Sequence, residues 1–161
     1  MKPIYLEMNY FGPHENSVVD FRLLDESPIF LISGDTGAGK STIFDAMTYA
    51  LFGTTTGDRD AKEMRSQFAT ADDRTSVTFY FKQGNLLYRI ERSPEQKLSK
   101  KRGSGSTLQK STAKLAIVDR VKGIEKNNIA INPKNVGEEI TRLLHLNAEQ
   151  FKKIILLPQN D

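Results

Sequence analysis

Residues 28–53 read PIFLISGDTGAGKSTIFDAMTYALFG, and three patterns follow one another within them. The first is a short apolar run, 28–32, which is typical of a strand covered on both faces. The second is a glycine-rich stretch, 33–39. The third is a set of apolar residues at helical spacing, which predicts a helix from Ser41 to about Phe52 that ends at Gly53. The order of strand, glycine loop and helix decides the fold class.

The glycine-rich stretch carries a phosphate-binding pattern. Residues 34–41, GDTGAGKS, match G-x-x-x-x-G-K-[ST] between the predicted strand and the predicted helix. Backbone N–H groups of such a loop turn towards phosphate oxygens, and the positive end of the helix points at them. We predict that Lys40 reaches the β- and γ-phosphates of ATP and that the Ser41 hydroxyl is a ligand of Mg²⁺. The residues predicted to bind the nucleotide are Gly34, Asp35, Thr36, Gly37, Ala38, Gly39, Lys40, Ser41 and Thr42.

Composition limits the other classes of function. The 161 residues are 38% hydrophobic and 27% charged, which is typical of one soluble domain with a core of its own. No apolar run approaches the roughly 18 residues that cross a bilayer, and the N-terminus lacks the apolar segment of a signal peptide. We therefore expect a cytoplasmic protein without a membrane partner. The absence of cysteine excludes disulfides and thiolate zinc sites and leaves only His14 and His145 as imidazole ligands, so any metal chemistry is expected to use oxygen ligands.

Positive charge is concentrated in one stretch. Residues 89–126 hold 11 Lys and Arg against 4 Asp and Glu, a balance of +7 in a chain whose net charge is +3, so the remaining residues carry −4. Within this stretch, residues 93–112 are polar without an apolar period, which predicts a long exposed connection. Lys100, Lys101 and Arg102 on this connection are candidates for contacts to DNA phosphates without base reading. The alternative is a solvated loop that only keeps the protein soluble.

Hydrophobic periodicity predicts the other elements. Alternation predicts a strand at 4–10 that is broken at Gly12 and Pro13, a second strand through Val19, Phe21 and Leu23, a hairpin over 76–90, and a further strand near 115–118. We therefore predict an α/β fold with a mixed sheet and an antiparallel β subdomain.

The C-terminal third is predicted to start with helices. Asn135 with Glu138, and Asn147 with Gln150, have the spacing of helix N-terminal boxes. The apolar run 154–157 is interpreted as a strand that leads into a loop.

ATP hydrolysis also needs an acidic residue after an apolar strand. Asp25 and Asp119 both follow apolar residues, but Arg22 interrupts the first segment, and Arg120 follows Asp119 where a second acid is expected. We interpret both as turn or strand-end aspartates. The chain is thus predicted to bind nucleotide without carrying its hydrolytic carboxylate.

Four segments resemble one protein family. They are NYFGPH at 9–14, TGAGKST at 36–42, IFDAMTYALFG at 43–53, and the closing residues with QF at 150–151 and ILLPQ at 155–159. Together they resemble the SbcC family, the ATPase subunits of the bacterial SbcC–SbcD nuclease, which is related to the structural-maintenance-of-chromosomes (SMC) and ABC-type ATPases. The resemblance runs along the whole chain.

The resemblance implies a P-loop NTPase of the ABC/SMC head type, of which residues 1–161 are the N-terminal lobe. It implies that Gln159 is the Q-loop glutamine and joins Ser41 in the Mg²⁺ shell. It further implies a coiled coil and a C-terminal lobe beyond this piece, a second head that dimerises on ATP, the SbcD nuclease, and double-stranded DNA in the nucleoid. The region from Met64 to Phe68 is a candidate for adenine contacts, although we expect Phe68 to pack in the core.

Two groups of alternatives remain open. Other head-type ATPases share the P-loop, including chromosome-structuring proteins, recombination mediators and transporter ATPases. A module in which nucleotide is only a structural ligand is the alternative from another class.

Overall fold

The computed structural model describes residues 1–25, 37–55 and 61–156, with the backbone alone for 24, 25, 37–41 and 154–156. The strand predicted at 28–32, the loop residues Gly34, Asp35 and Thr36, and Gln159 lie outside the described residues. Eight strands are present in the described ranges: β1 (Lys2–Phe11), β2 (His14–Asp20), β3 (Ser76–Gln83), β4 (Leu86–Ser93), β5 (Gln96–Ser99), β6 (Ser106–Gln109), β7 (Thr112–Val118) and β8 (Glu125–Ala130). Three helices accompany them: α1 (Gly37–Phe52), α2 (Pro133–Leu144) and α3 (Ala148–Leu156).

Six of the strands form one sheet in the order β2-β1-β3-β4-β7-β8, and β5 and β6 form a separate two-stranded sheet. Every neighbouring pair of these strands is antiparallel. The α/β class and the antiparallel β part of the prediction are confirmed.

Register divides the large sheet into two faces. Leu6, Phe79, Ile90 and Leu115 lie opposite one another on β1, β3, β4 and β7, and all four are fully buried. The next row along the same strands is Glu7, Thr78, Glu91 and Lys114. Side chains alternate between faces along a strand, so the apolar row belongs to an inner face that packs on the helices and the polar row to an outer face.

Helix α1 packs against β1, β3 and β4 on the inner face and also contacts the other two helices. Residues 44–51 of α1 are all buried, including the polar residues Asp45 and Thr48, so this stretch of the helix has no solvent-exposed polar face. α2 adds Val136, Ile140 and Leu144 to the same core. The Phe151 ring of α3 lies 5.6 Å from the Phe52 ring of α1, measured between centroids. The end of α1 is therefore packed against a second helix.

Two predicted elements are confirmed with their turns. The hairpin over 76–90 is β3 and β4, joined at Gly84 and Asn85. The helix predicted from Ser41 to Phe52 is α1, which starts four residues earlier, at Gly37. Gly53 has a φ of +76° and donates its N–H to the Tyr49 carbonyl at 2.7 Å, so it ends the helix as predicted.

Two predicted regions differ from the structure. The strand through Val19 ends at Asp20, and residues 21–25 form a 3-10 turn that includes Phe21 and Leu23. Most of residues 97–112 are exposed, as predicted, but the predicted connection is not irregular throughout, because β5 and β6 pair within it. This hairpin has few apolar side chains, so its strands leave no apolar period to detect.

The C-terminal third also differs from prediction. α2 starts at Pro133, and its N-cap is Asn132, whose side chain accepts the N–H of Asn135 at 2.9 Å. The predicted N-cap at Asn135 was wrong, because proline at the first helical position places the start earlier. Residues 154–156 continue helix α3, so the strand predicted there was also wrong.

The second predicted helix start is confirmed. The N–H of Asn147 donates to Gln150 Oε1 and the N–H of Gln150 donates to Asn147 Oδ1, both at 2.9 Å. This reciprocal capping box begins α3 and extends it through an apolar run that, taken alone, fits strand or helix.

Candidate nucleotide-binding site

Helix α1 begins inside the phosphate-binding motif. Its backbone is helical from Gly37, so the predicted site residues Gly37, Ala38, Gly39, Lys40 and Ser41 form its first turn and a half. The first four N–H groups of a helix have no partner within the helix, and the helix dipole adds positive charge at the same end. This end of α1 therefore presents donors suited to an anion.

The turn between β1 and β2 packs against the start of α1. Gly12 in this turn has a φ of +58°, and its N–H donates to the Met64 carbonyl at 2.5 Å. A Cβ at Gly12 would lie 2.9 Å from Cγ2 of Thr42, which is closer than real contacts allow. Thr42 is 2% exposed and packs against a turn that leaves no room for a Cβ at Gly12, and this contact holds Thr42 in place next to Ser41.

The C-terminal end of β1 is fixed by a segment that follows α1. Ser66 donates its N–H to the Tyr10 carbonyl at 2.8 Å, and Phe11 forms a bridge with Arg65. The Arg65 guanidinium donates to the carbonyls of Asp73 and Thr70 at 2.6 and 2.7 Å. Arg65 thus closes the loop that follows the 3-10 turn at 61–64, and this loop supports the β1–β2 turn beside α1.

The opposite end of α1 is held by Arg92 of β4. Its Nε donates to the Ala50 carbonyl at 2.8 Å and its Nη2 to the Leu51 carbonyl at 3.2 Å. Burial lowers the pKa of Arg92 to about 10, so the guanidinium is charged at neutral pH. Both ends of the helix are therefore connected to the sheet, the first through Thr42 and the second through Arg92.

The candidate region for adenine contacts divides into two parts. Met64 is fully buried and touches the β1–β2 turn, whereas Phe68 is 54% exposed. The expectation that Phe68 packs in the core was wrong. A tight turn closed by the Phe68 N–H, which donates to Ser66 Oγ at 3.1 Å, directs this ring away from the core.

The two aspartates considered for hydrolysis lie in turns. Asp119 Oδ1 accepts the N–H of Ile124 at 2.7 Å across the β7–β8 connection, which confirms it as a strand-end aspartate. Asp25 ends the 3-10 turn Phe21–Asp25.

The two histidines have structural partners. A ring nitrogen of His14, Nδ1, lies 2.8 Å from Ser17 Oγ, and burial lowers the pKa of this imidazole. His145 has a φ of 55° and ends α2 by donating its N–H to the Thr141 carbonyl. In the part of the chain that the structure describes, no three His, Asp or Glu side chains are grouped to hold a metal ion, and no helix is long and apolar enough to span a membrane.

The predicted DNA contacts lie together at the tip of the β5–β6 hairpin. Lys100, Lys101 and Arg102 are all exposed, and the Lys100 N–H donates to the Gly105 carbonyl at 3.0 Å to close the tip. Gln96 anchors the base of the hairpin, because its Oε1 accepts the N–H of Thr75 at 2.8 Å. The structure therefore brings the three cations together on an anchored ribbon, far along the chain from the phosphate loop.

Other cations of the basic stretch are neutralised on the outer face. Glu125 of β8 accepts hydrogen bonds from Lys114 of β7 and Arg89 of β4. These bonds, first that of Lys114 and then that of Arg89, lower the pKa of Glu125. Some positive charges of residues 89–126 are therefore already paired with acidic side chains. The cations outside these ion pairs are concentrated at the hairpin.

A groove of about 510 Å³ crosses the outer face below the hairpin. Arg74 lines it, with Nε 3.0 Å from Ser93 Oγ and Nη2 3.2 Å from Thr112 Oγ1. Lys114 and Thr78 form more of its wall.

Arg65 and Arg92 were missed by sequence reasoning. Arg92 occupies the third inner position of β4 after Tyr88 and Ile90, and a charged residue in an apolar alternation was the available signal. Arg65 had no comparable signal, because it lies in an irregular segment and its partners are two backbone carbonyls of that segment and the side chains of Thr75 and Gln96.

Comparisons with known proteins agree with the fold and the motif. A family model described as "AAA domain" matches residues 5–161. The chain is 39% identical over 161 residues to the SbcC subunit of the nuclease SbcCD from Vibrio cholerae, an alignment that covers 99% of this chain and 16% of that protein. It is 41% identical over 164 residues to the protein of the same name from Staphylococcus aureus strain MRSA252, with 100% of this chain and 15% of that protein covered.

The chain thus spans about a sixth of the length of these relatives. The alignments extend over nearly the whole chain, so they include residues 34–41 and helix α1. Because the family model covers almost the whole sequence, the chain belongs to the AAA domain family of P-loop NTPases.

Proposed function

We propose that this chain is the ATP-binding lobe of an ATPase head like that of its SbcC relatives. One observation carries the proposal: helix α1 starts within the G-x-x-x-x-G-K-S motif, and its body is buried against the sheet and two helices. A helix fixed in this way keeps its N-terminal donors in place without reorganisation when a triphosphate binds.

In this proposal the nucleotide is held by residues 34–42, with Lys40 on the β- and γ-phosphates. The Ser41 hydroxyl and the Gln159 amide oxygen would hold Mg²⁺, since both are hard oxygen ligands of the type that this ion prefers. The ion supplies neutralisation of charge on the phosphates. Thr42 supports Ser41 from its buried position against Gly12.

Hydrolysis in this proposal needs groups from two further sources. The C-terminal lobe of the same protein supplies the acidic strand, and a second head closes on the bound ATP with its signature motif. ATP then joins two heads, and its hydrolysis separates them. We expect the 161-residue chain by itself to bind nucleotide with little turnover.

The biological role that we propose goes beyond the names of the relatives, which say only that they are subunits of a nuclease. The complete protein controls access of DNA ends, including hairpin ends, to a partner nuclease of the SbcD type in the cytoplasm. Contacts to the γ-phosphate favour the closed state of the head over the open state, and the partner nuclease responds to which state is present.

Binding of Mg-ATP by calorimetry tests the nucleotide part. We expect Lys40→Ala to weaken binding at least tenfold, a loss of about 1.4 kcal/mol or more. The matched control is Lys134→Ala, which removes an exposed lysine from the first turn of α2. Equal affinity in the Lys40 variant and the control would refute the proposed site, and wild-type binding that survives EDTA unchanged would refute the role of Mg²⁺.

We further propose that duplex DNA contacts the basic tip of the β5–β6 hairpin. Three exposed cations on one anchored turn fit phosphate contacts without base reading. Arg74 and the hydroxyl groups that line the adjacent groove extend this surface along the outer face.

The DNA proposal is tested by Lys100→Glu, Lys101→Glu and Arg102→Glu together. The control reverses three exposed lysines elsewhere, Lys126, Lys134 and Lys153, so the change in net charge is equal. The salt dependence is the slope of the logarithm of the duplex-binding constant against the logarithm of the salt concentration. We expect the tip variant to reduce the magnitude of this slope by about 0.9 for each lost phosphate contact, while the control changes it less. Equal loss in both variants would assign the effect to net charge and contradict the proposal.

A further inference from the structure

Arg92 is a charged residue in an apolar place. It is 6% exposed and lies on the inner face of β4, opposite Val77 of β3 and Ala113 of β7. Both of these neighbours are buried and apolar. Among the described residues, no acidic side chain forms a salt bridge with Arg92.

The partner of this charge is the end of helix α1. The last carbonyls of a helix have no partner within the helix and carry its negative dipole end, and the guanidinium donates to two of them, at Ala50 and Leu51. Gly53 leaves room for this contact, since a Cβ there would lie 3.2 Å from Nη1 of Arg92. The helix end and the arginine therefore fit each other through charge, hydrogen bonds and shape.

Stability alone gives little reason for such a group. Burying a guanidinium carries a desolvation cost, and an apolar side chain of similar size could fill the site at equal or better stability. Two directed hydrogen bonds fix the distance and rotation of a helix relative to a strand better than apolar packing does.

The position of α1 matters most at its N-terminal end, where the phosphates are proposed to bind. α1 has 16 residues, so its length is about 24 Å, and a tilt of about 5° about its C-terminal end moves its first turn by about 2 Å. Such a displacement separates the N-terminal donors from phosphate oxygens, since hydrogen bonds weaken beyond about 3.2 Å. It also alters the contact of Thr42 with Gly12.

We propose that Arg92 is a positioning residue for nucleotide binding: it holds the C-terminal end of α1 on β4 and thereby places the first turn of α1 for the phosphates. This inference rests on the proposed function for its consequence in ATP binding. The mechanical part, that the first turn depends on Arg92, holds for the chain without nucleotide.

The experiment compares Arg92→Met and Arg92→Lys with Arg89→Met. The control removes an arginine from the same strand, but from the outer face, where Arg89 pairs with Glu125. In Mg-ATP titrations we expect Arg92→Met to weaken binding at least tenfold and Arg92→Lys to fall between it and wild type. Arg89→Met is expected to stay within about twofold of wild type. If Arg92→Met fails to fold, Arg92→Lys, which keeps the charge, carries the comparison.

Amide hydrogen exchange, measured without nucleotide, distinguishes a residue that positions the far end of α1 from one that only stabilises its own surroundings. We expect Arg92→Lys to speed exchange both at residues 50–53 and at residues 42–45 in the first turns of α1. Faster exchange at 50–53 alone, or an ATP affinity equal to wild type, would overturn the inference. Absence of ATP binding by the wild-type chain would instead refute the proposed function, and the exchange pattern would still decide the role of Arg92.

Discussion

The two faces of the sheet use the same strands for opposite chemistry. On the inner face, Leu6, Phe79, Ile90 and Leu115 form a fully buried row against the helices. One residue further along each strand, the outer face carries hydroxyl groups and charges. A one-residue change of register would exchange the two faces, so strand register keeps helix α1 behind one face and the charged contacts on the other.

The largest expected loss of stability comes from a substitution in the buried row of the inner face. Phe79→Ala removes a fully buried ring that packs 5.7 Å from the Phe81 ring, so we expect a loss of about 3–5 kcal/mol in the free energy of unfolding. Thr78→Ala, its neighbour on the outer face, is expected to cost less than about 1 kcal/mol. Urea denaturation measures both, and similar losses would show that the faces do not differ in burial as described.

The next largest effect concerns the contact between Gly12 and Thr42 at the start of α1. Gly12→Ala and Gly84→Ala place a side chain at similar backbone angles, φ of +58° and +63°, but only the Gly12 Cβ meets another group, Cγ2 of Thr42 at 2.9 Å. Backbone strain of about 1 kcal/mol is common to both variants. We expect Gly12→Ala to lose about 1–2 kcal/mol more than Gly84→Ala and also to weaken Mg-ATP binding. Equal melting temperatures would contradict the close contact.

A smaller effect concerns the charges of the outer face. The pKa of Glu125 is lowered by Lys114 and Arg89, so the carboxylate stabilises the folded state above its ordinary pKa near 4.5, and this contribution is lost as pH falls through the lower, folded value. We expect Glu125→Gln to be less stable than wild type at pH 7 and the difference to shrink towards pH 3. Thermal melts across this range test the sign, and a difference that grows with acid would contradict it.

The smallest expected effect is at the hairpin tip. Lys100, Lys101 and Arg102 are exposed side chains on a short turn, so reversing their charges is expected to change the free energy of unfolding by no more than about 0.5 kcal/mol. Chemical denaturation provides the check. A larger loss would mean that the tip has a structural role, and a change in DNA binding could then no longer be assigned to phosphate contacts.

Much of this organisation is predictable from sequence where one local pattern dominates. Strict alternation identifies β3 and β4, and helical spacing with Gly53 identifies α1. Prediction was wrong where short signals competed. The run 154–157 fits strand or helix, and the capping box at Asn147 extends a helix into it; Pro133 moves the start of α2 to Asn132.

The rest depends on contacts between distant parts of the chain. Arg92 meets the end of α1 across about 40 residues, and Gln96 accepts from Thr75 across 21. No local pattern encodes such partners, because propensity and periodicity describe neighbours along the chain only. For the candidate site, sequence identified the motif and its helix, and the structure added the supports at Gly12 and Arg92.

The β5–β6 hairpin leaves and re-enters the sheet at one point. Ser93 at the end of β4 is the register partner of Thr112 at the start of β7, so residues 94–111 form an excursion whose two ends already lie side by side. An insertion of this kind can lengthen, shorten or exchange its tip without moving either strand, apart from the anchor that Gln96 provides. The length and sequence of the tip can therefore change without any change in the helices that pack behind the sheet.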